Sequence, residues 1–289
     1  MGDKLPISVV IPTKNEIKNL PGCLHRLTRF DDIAIVDSGS TDGTLDVARQ
    51  AGIPVHHFEW NGRYPKKRNW YLLNFQPKYD WVLFLDADEF VTDAFCDEAA
   101  RQVASTNAAG FWLNYSNYFL GDRLRFGIPQ RKLALFRRDA GLYERIDEAD
   151  WSGLDMEIHE HPVIKGSISE IRAPIDHRDF AGIEKFLRRH QDYARWEARR
   201  IQKLKSNDGD APALTKRQRF KYKHIEKWWY PAFYFLYQYI VRLGILDGSA
   251  GFQYAFYKAW YFLSIRLICR ELASTEAKPA PKPVEQPTS

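Results

Sequence analysis

Residues Trp81–Glu89, with the sequence WVLFLDADE, are the clearest indication of how this chain folds. The residues before Asp86 are apolar, and a strand without polar alternation is buried on both faces of its sheet. The carboxyl end of such a strand opens onto the ligand crevice, which is where Asp86 and Asp88 stand. Two neighbouring carboxylates repel each other unless a cation lies between them or one stays protonated. The stretch favours a divalent metal site, and an acidic turn that caps the next helix is the alternative.

The first ninety residues alternate between strand and helix patterns. Apolar runs predict four strands, at Ile7–Pro12, Asp32–Asp37, Pro54–Glu59 and Trp81–Leu85. Helix patterns and their start and stop signals predict helices at Glu16–Arg29, Thr41–Ala51 and Pro65–Asn74. This βαβαβαβ order predicts an α/β fold with a Rossmann-like, mostly parallel sheet flanked by helices.

Polar residues cluster directly after three of these strands, at Thr13–Glu16, Asp37–Thr44 and Asp86–Glu89. The carboxyl ends of parallel strands share one edge of the sheet, so the clusters are expected to form one site. The second cluster lacks the glycine and lysine spacing of dinucleotide-binding and phosphate-loop motifs, so neither class is supported. Asp37 is placed to accept hydrogen bonds from a base or a ribose, and a turn with a helix cap is the alternative.

After a predicted helix at Asp93–Ser105 the pattern changes. Short apolar stretches predict strands at Phe111–Phe119, Lys132–Phe136, Ser167–Ile171 and Ile175–His177, as mixed or antiparallel additions to the sheet. From Gly182 to about Leu272 the chain is predicted to be helical, with a loop near Ser206. The end, Ser274–Ser289, is rich in Pro, Lys and Glu and is predicted to be disordered. The predicted organisation is a catalytic domain at 1–178, a helical extension at 179–272 and a tail at 273–289.

The net charge of +5 is unevenly distributed. Gly182–Lys227 contains 14 Lys and Arg against 6 Asp and Glu, and in Trp228–Phe262 15 of 35 residues are aromatic. Basic and aromatic helices suit a membrane interface with anionic head groups, and packing on the catalytic core is the alternative. Nucleic acid is disfavoured, because the aromatics fall in helix-like apolar runs. The charge-free run Trp228–Val241 has 14 residues, fewer than the ~20 that span a bilayer.

Cysteine usage and the amino terminus predict a cytoplasmic protein. The three cysteines are far apart, odd in number and outside metal-ligand spacings, which indicates a reducing compartment. Met1–Pro6 lacks the basic region of a secretory signal. Together with the basic and aromatic helices, this predicts a peripheral protein on the inner face of the cytoplasmic membrane.

Four motifs stand in order along the first ninety residues: Thr13-Lys14-Asn15-Glu16, Asp37 with the Gly-Ser-Thr-Asp-Gly-Thr that follows Ser38, Arg68-Asn69 and Asp86-Ala87-Asp88. Together they resemble the nucleotide-sugar-binding domain of the family 2 inverting glycosyltransferases. The resemblance implies a GT-A type fold and a UDP-sugar donor. It implies that Asp37 and Arg68 contact the nucleobase and that Asp86 lies near the ribose. The implied donor-binding residues are Pro12, Thr13, Asn15, Glu16, Asp37, Ser38, Gly39, Arg68, Asp86 and Ala87.

The same resemblance implies that Asp88 ligates Mg²⁺ or Mn²⁺, which bridges the donor diphosphate and neutralises charge on the leaving group. His177 is a further candidate for the metal shell, and a histidine satisfied in the core is the alternative. Lys67 departs from the family pattern, which often has alanine there. It is expected either to contact a phosphate or to lie on a solvated face.

An inverting transfer needs a base that removes the proton of the attacking hydroxyl. The acids and histidines of Trp151–His161 supply the candidates, and the zinc-protease helix pattern is absent there. Ile158-His159-Glu160, followed by an apolar strand and His177, resembles a subgroup that includes lipopolysaccharide core glycosyltransferases. In that resemblance Glu160 is the expected base, with Asp155 and Glu157 as alternatives.

The predicted function is therefore transfer of a sugar from a UDP-sugar to a lipid-linked or lipopolysaccharide-type glycan at a membrane surface. The aromatic carboxyl-terminal part, including Tyr239–Gly248, resembles the same subgroup more loosely and implies the lipid-linked acceptor. Two other classes stay open at this point. A strand ending in D-x-D also occurs in phosphotransferases, with Asp86 as nucleophile, and a non-catalytic scaffold could keep the donor pocket while it recruits partners to membranes.

Overall fold

A computed structural model describes residues 4–146, 152, 154–157, 161–179, 182–206 and 216–276 of the 289-residue chain. The strands are β1 (Ile7–Thr13), β2 (Ile33–Asp37), β3 (Val55–His57), β4 (Trp81–Phe84), β5 (Glu89–Phe90), β6 (Gly110–Phe119), β7 (Asp122–Leu124), β8 (Arg131–Arg137), β9 (Gly141–Tyr143), β10 (Pro162–Ile164) and β11 (Ile168–His177). The helices are α1 (Leu20–Arg26), α2 (Thr44–Gln50), α3 (Lys67–Asn74), α4 (Asp93–Ser105), α5 (Ile183–Ser206), α6 (Lys216–His224), α7 (Tyr230–Leu236) and α8 (Gly248–Glu276). Short 3₁₀ turns lie at Arg138–Ala140 and Gly244–Asp247, and a π-helical turn at Tyr237–Val241 follows α7.

Nine of the described strands form one sheet, in the order β3-β2-β1-β4-β8-β6-β11-β5, with β7 paired to β6. The first four strands of this order are parallel, as the βα alternation predicts, and β11 runs parallel to β6. Strand β8 is antiparallel to both of its neighbours. The predicted α/β fold with mixed additions to the sheet is confirmed.

The apolar runs of β1 and β4 are buried on both faces of this sheet. Side chains alternate between the faces. Val9 and Leu83, paired in register, therefore belong to one hydrophobic cluster, whereas Val10 and Phe84, also paired, belong to the cluster on the opposite face. This double burial explains why β4 carries no polar residue and why the two polar residues of β1, Ser8 and Thr13, are themselves buried and hydrogen-bonded.

Two predicted helices begin later than expected, because the residues before them form loops at the carboxyl edge of the sheet. Helix α1 begins at Leu20 instead of Glu16, and Asn15 has a left-handed φ of 57°. Helix α2 begins at Thr44 instead of Thr41, after an Asp42 carboxylate that accepts the Thr44 N–H at 3.1 Å. Side chains that bond to nearby backbone groups compete with the helix in this way.

Strand β11 joins two stretches predicted as separate strands, Ser167–Ile171 and Ile175–His177. Its pairing with β6 shifts register between Ile171 and Ile175. On its other side it pairs antiparallel with the two-residue strand β5, so that His177 lies opposite Glu89. This short pairing brings the end of β11 to the Asp86–Asp88 corner.

The carboxyl-terminal helices have a hydrophobic core of their own. Ala194, Ala198, Ile225, Tyr230 and Ile265 are among its buried members. Helix α8 continues to Glu276, so the first residues of the predicted tail are helical, and the rest of the tail lies outside the described residues. None of the described helices combines the length and apolar character that crossing a bilayer requires.

Candidate active site

The loops after β1 and β2 are tied together by short polar contacts. Thr13 and Asp37 are paired at the ends of their strands, and the Thr13 hydroxyl donates to the Asp37 carboxylate at 2.7 Å. The other Asp37 oxygen accepts the Ser40 N–H at 2.8 Å. Asn15 accepts the Thr41 N–H at 2.8 Å, and its own N–H donates to the Ser40 hydroxyl at 2.8 Å. Asp37 is thus fully buried and orders both loops, and its contact with a nucleobase stays a prediction.

Asp86 lies between two cations. Its carboxylate is 2.6 Å from the Arg68 guanidinium and 2.7 Å from the Lys132 ammonium group. Lys132 also bonds to Glu89, whose side chain is almost fully buried. Burial by itself raises the pKa of Asp86, but Lys132 and Arg68 outweigh this effect and hold the pKa below its ordinary value. Asp86 is therefore ionised and fixed in orientation.

Asp88 stands beside the end of β11 and the first half of α5. Its carboxylate is 3.4 Å from His177 Nε2 and 3.7 Å from the Arg189 guanidinium. Burial opposes ionisation, but His177 and Arg189 lower the pKa of Asp88 to about 2. Burial lowers the pKa of His177, and the Asp88 carboxylate reverses that effect and raises it overall. The pair is an ionised carboxylate with an imidazole nitrogen at its side.

The chemistry of this pair fits a divalent cation. Carboxylate oxygen is a ligand of both Mg²⁺ and Mn²⁺, and imidazole is an additional donor that Mn²⁺ accepts. Among the described residues no group of three or more His, Cys, Asp or Glu side chains is arranged to hold a metal ion. A cation held by these two side chains alone would have room for phosphate oxygens and water, as is usual for cations bound with a nucleotide.

Glu157 caps helix α3. One carboxylate oxygen accepts the Arg68 N–H at 3.0 Å and the other accepts the Asn69 N–H at 3.1 Å. Both N–H groups lie in the first turn, where a helix has no internal acceptors, and the N-cap residue Lys66 supplies no side-chain bond. The carboxylate, only 2% exposed at the residue level, is thus engaged in structure.

Lys67 is buried, contrary to the expected solvated face. Its side chain is 2% exposed, its ammonium group donates to the Thr13 carbonyl at 2.9 Å, and it pairs with Asp155 at 3.2 Å. Burial opposes ionisation of Asp155, but Lys67 outweighs it and lowers the pKa of Asp155. Lys67 thus joins the Asp155 segment to the end of β1. Glu160, the expected base, lies outside the described residues.

Sequence reasoning missed the contribution of α5. Arg189 approaches Asp88 and also bonds to Asp179 at 2.5 Å. One turn earlier, Lys185 donates to the Glu16 carboxylate at 2.8 Å and to the Asn15 carbonyl at 3.2 Å. Both cations belong to the basic stretch for which the sequence predicted a membrane-facing surface, with packing on the catalytic core as the alternative, and did not predict contact with the site residues. Their spacing of four residues on one helix face is the signal that could have identified them.

The first half of the chain matches the family Glycosyl transferase family 2 over residues 8–161. The chain belongs to this family. The matched segment contains the Asp37 loop, Arg68 and the Asp86–Asp88 corner, whereas His177 and Arg189 lie beyond that segment. Membership favours glycosyl transfer over the phosphotransfer alternative.

Individual relatives of this glycosyltransferase include an enzyme of lipopolysaccharide synthesis. The lipopolysaccharide core biosynthesis glycosyltransferase LpsC of Rhizobium meliloti (strain 1021) is 31% identical over 185 residues, which cover 58% of this chain and 61% of LpsC. An uncharacterised glycosyltransferase of Rickettsia felis is 34% identical over 102 residues, 35% of each chain. The chain thus spans less than two thirds of the length of these relatives.

Two solved structures also resemble the fold. The mannosyltransferase PcManGT from Pyrobaculum calidifontis, in complex with GDP-Man and Mn²⁺, aligns with a TM-score of 0.47 at 15% identity, over 92% of this chain and 87% of that one. TarS residues 1–349 of S. aureus align with a TM-score of 0.40 at 16% identity, over 93% and 91%.

A cavity of about 490 Å³ opens beside the two aspartates of the glycosyltransferase. Eight of the predicted site residues line it, namely Pro12, Glu16, Arg68, Asp86, Ala87, Asp88, Glu157 and His177. The wall contributed by α5 and α8 is largely aromatic: Phe186, His190, Tyr193, Tyr254 and Tyr261. The predicted residues Thr13, Asn15, Asp37, Ser38 and Gly39 belong to the two joined loops instead. The cavity thus combines ionised groups on the sheet side with ring faces on the helical side.

Proposed function

We propose that this glycosyltransferase moves a hexose from a UDP-sugar to a lipid-linked or lipopolysaccharide-type glycan, with inversion at the sugar carbon and with Mg²⁺ or Mn²⁺. The observation that carries the proposal is the Asp88 carboxylate, which is ionised, lines the cavity and has His177 and Arg189 as neighbours. Asp88 and His177 are the residues that would hold the cation. When bound, a dication stabilises the charge that builds on a leaving diphosphate.

The cations around the aspartates suit a donor that carries negative charge. Arg189 stands beside Asp88 with a buried Nε that has no hydrogen-bond acceptor within the described part of the chain. It is therefore available to bond a phosphate oxygen, for which a guanidinium is well shaped. Arg68 and Lys132 keep Asp86 ionised and in place, so that its carboxylate can accept hydrogen bonds from ribose hydroxyls. A nucleoside diphosphate has phosphate oxygens that Arg189 could bond and ribose hydroxyls that Asp86 could accept from.

The base is proposed to be Glu160. An attacking hydroxyl must lose its proton to a carboxylate within hydrogen-bond reach. Of the two alternatives, Glu157 holds the first turn of α3 with both oxygens and Asp155 is paired with Lys67. These engagements favour Glu160 over both.

The acceptor is proposed to be a glycan, and its expected position is against the aromatic wall of the cavity. Ring faces such as those of His190 and Tyr261, 5.6 Å apart, offer apolar surface to the C–H face of a sugar. The 31% identity to LpsC supports an acceptor of the lipopolysaccharide type. A cytoplasmic location, at the inner face of the cytoplasmic membrane, is proposed with it, and the three free cysteines fit a reducing compartment.

A donor screen tests this proposal. Purified protein is incubated with each of a panel of UDP-, GDP- and other nucleotide sugars, with and without Mn²⁺, and release of free nucleotide to water is measured. We expect slow release from one UDP-sugar, dependent on the cation and abolished in Asp88→Asn. Release from a GDP-sugar alone would contradict the uridine donor, and release that is unchanged by chelation would contradict the metal role.

Stereochemistry needs a separate measurement. With an acceptor glycan in hand, the anomeric configuration of the product is read by nuclear magnetic resonance. Inversion relative to the donor is expected, and Glu160→Gln should abolish transfer while it leaves donor binding unchanged. Retention of configuration would overturn the single-displacement chemistry.

A further inference from the structure

Helix α7 and the turn after it expose an apolar face. Tyr230 and Tyr234 point inwards, with their rings 5.2 and 4.4 Å from that of Phe262. The opposite side chains recur at three- and four-residue spacing, which places them on one face of the helix. They are exposed by 37% to 65%: Phe233, Leu236, Tyr237, Ile240 and Val241.

Helix α8 and the turn before it extend this face. Leu243, Ile245 and Leu246 in the turn are exposed by 47% to 61%, and Phe252 and Phe256 in α8 by 47% and 52%. The Phe252 ring lies 5.8 Å from Phe235 and 5.7 Å from Tyr239, so the two stripes adjoin. We call the ten exposed side chains the apolar ridge: Phe233, Leu236, Tyr237, Ile240, Val241, Leu243, Ile245, Leu246, Phe252 and Phe256. A contiguous apolar surface of this kind marks an interaction site.

Exposed cations outnumber exposed acids around the apolar ridge, where Asp122 of β7 is an exposed acid at the edge. Within Trp228–Phe256 the sequence contains a single acid, Asp247. Its two oxygens accept the N–H groups of Arg125 and Phe126 at 2.9 and 3.0 Å, so its charge is engaged with the backbone. Arg125, Lys227 and Arg242 are exposed cations at the margins. Apolar side chains framed by cations are complementary to a bilayer with anionic head groups.

We propose that the apolar ridge inserts shallowly into an anionic lipid surface, with its cations at the level of the head groups. The proposal concerns a surface outside the donor site and holds independently of the donor. It depends on the proposed function in one respect only, namely that a lipid-linked acceptor would be reached from this surface. The Ile128 N–H donates to Gln238 at 2.8 Å and the Gly127 N–H donates to the Arg242 carbonyl at 2.8 Å. This loop leads into β8, whose Lys132 bonds to Asp86. The segment that carries the apolar ridge is therefore linked to Asp86 through this loop and β8.

Vesicle binding by the full chain tests the surface. Vesicles of phosphatidylcholine alone and of equal parts phosphatidylcholine and phosphatidylglycerol are sedimented with the wild type and with Val241→Glu/Leu246→Glu. The matched control is Leu73→Glu/Val163→Glu, whose residues are 54% and 59% exposed elsewhere. We expect the wild type and the control to bind the anionic vesicles, more weakly in high salt, and the ridge variant to bind at least tenfold more weakly. Melting curves and donor hydrolysis should be the same for all three.

Equal binding of the ridge variant and the control would overturn the proposal, and so would a wild type that fails to sediment with anionic vesicles. A wild type that is dimeric without lipid, and that the ridge substitutions make monomeric, would assign the surface to a second copy of the chain instead. Loss of donor hydrolysis in all proteins would concern the proposed function and leave the vesicle result standing.

Discussion

The sheet edge around the two aspartates and the apolar ridge differ in how far their side chains are exposed and in whether they have partners. At the sheet edge the charged groups are buried or half-buried and are held by partners, as Asp86 is by Arg68 and Lys132. On the ridge, apolar side chains such as Val241 are 65% exposed. Removing one partner of a buried charge pair lowers the stability of the fold, whereas replacing an exposed apolar side chain leaves the stability nearly unchanged. The side chains are thus held most firmly at the sheet edge, where the reaction is expected, whereas the surface proposed to bind lipid lies elsewhere.

The largest effect should follow Asp88→Asn. Removal of the carboxylate lowers affinity for the cation and the charge stabilisation it supplies, and we expect nucleotide release to fall by roughly 10³-fold. The free energy of unfolding should also fall, because His177 and Arg189 lose the buried carboxylate beside them. Steady-state release at saturating Mn²⁺ measures the loss, with the exposed Asp46→Asn as control. A variant that keeps full Mn²⁺-dependent activity would show that Asp88 is not the metal ligand.

Glu157→Ala should be the most destabilising substitution at the sheet edge. It leaves two N–H groups of α3 without acceptors in a buried place, which costs about 3 kcal/mol. Chemical denaturation measures the change, and Glu157→Gln, which keeps one acceptor, should lose about half as much. A fully stable Glu157→Ala with abolished transfer would instead favour Glu157 as the base.

Arg189→Gln asks whether α5 belongs to the reaction centre or only to the helical region. A guanidinium that stabilises a leaving diphosphate should contribute roughly 2 kcal/mol, so that kcat falls by about 30-fold. We expect the KM for the donor to change less and the melting temperature to stay close to that of the wild type. Arg188→Gln, on an exposed face one residue away, is the matched control. Equal kinetics of the two variants would remove α5 from the chemistry.

The smallest effect should come from Asp155→Asn. Lys67 lowers the pKa of Asp155 in the folded protein, so the carboxylate stabilises the fold above the ordinary Asp range near pH 4 and loses this contribution as the pH falls through the lowered pKa. The variant should be about 1 kcal/mol less stable at pH 7 and should match the wild type in strong acid. Denaturation curves at a series of pH values test this, and a constant difference would contradict the Lys67 pair.

Local patterns predicted the sheet well and the site in part. The unbroken apolar run before Asp86 identified β4, because double burial leaves no polar positions, and the polar ends of β1 and β2 marked the edge where the loops meet. Contacts made across long stretches of chain were not predictable. Glu157 caps a helix that lies 89 residues earlier, and Lys67 is buried because a distant Asp155 neutralises it. Arg189 could not be singled out, because it lies in a basic stretch whose charged side chains point in several directions.

The two-residue strand β5 has a consequence for any attempt to isolate the donor domain. It ties Glu89 to His177, and the next helix supplies Arg189. A polypeptide trimmed to the segment 8–161 would retain the aspartate corner but forfeit the imidazole, the guanidinium and the whole of β11, which sits between β6 and β5 in the sheet. The smallest transplantable unit of this enzyme should therefore reach at least to the end of α5 at Ser206.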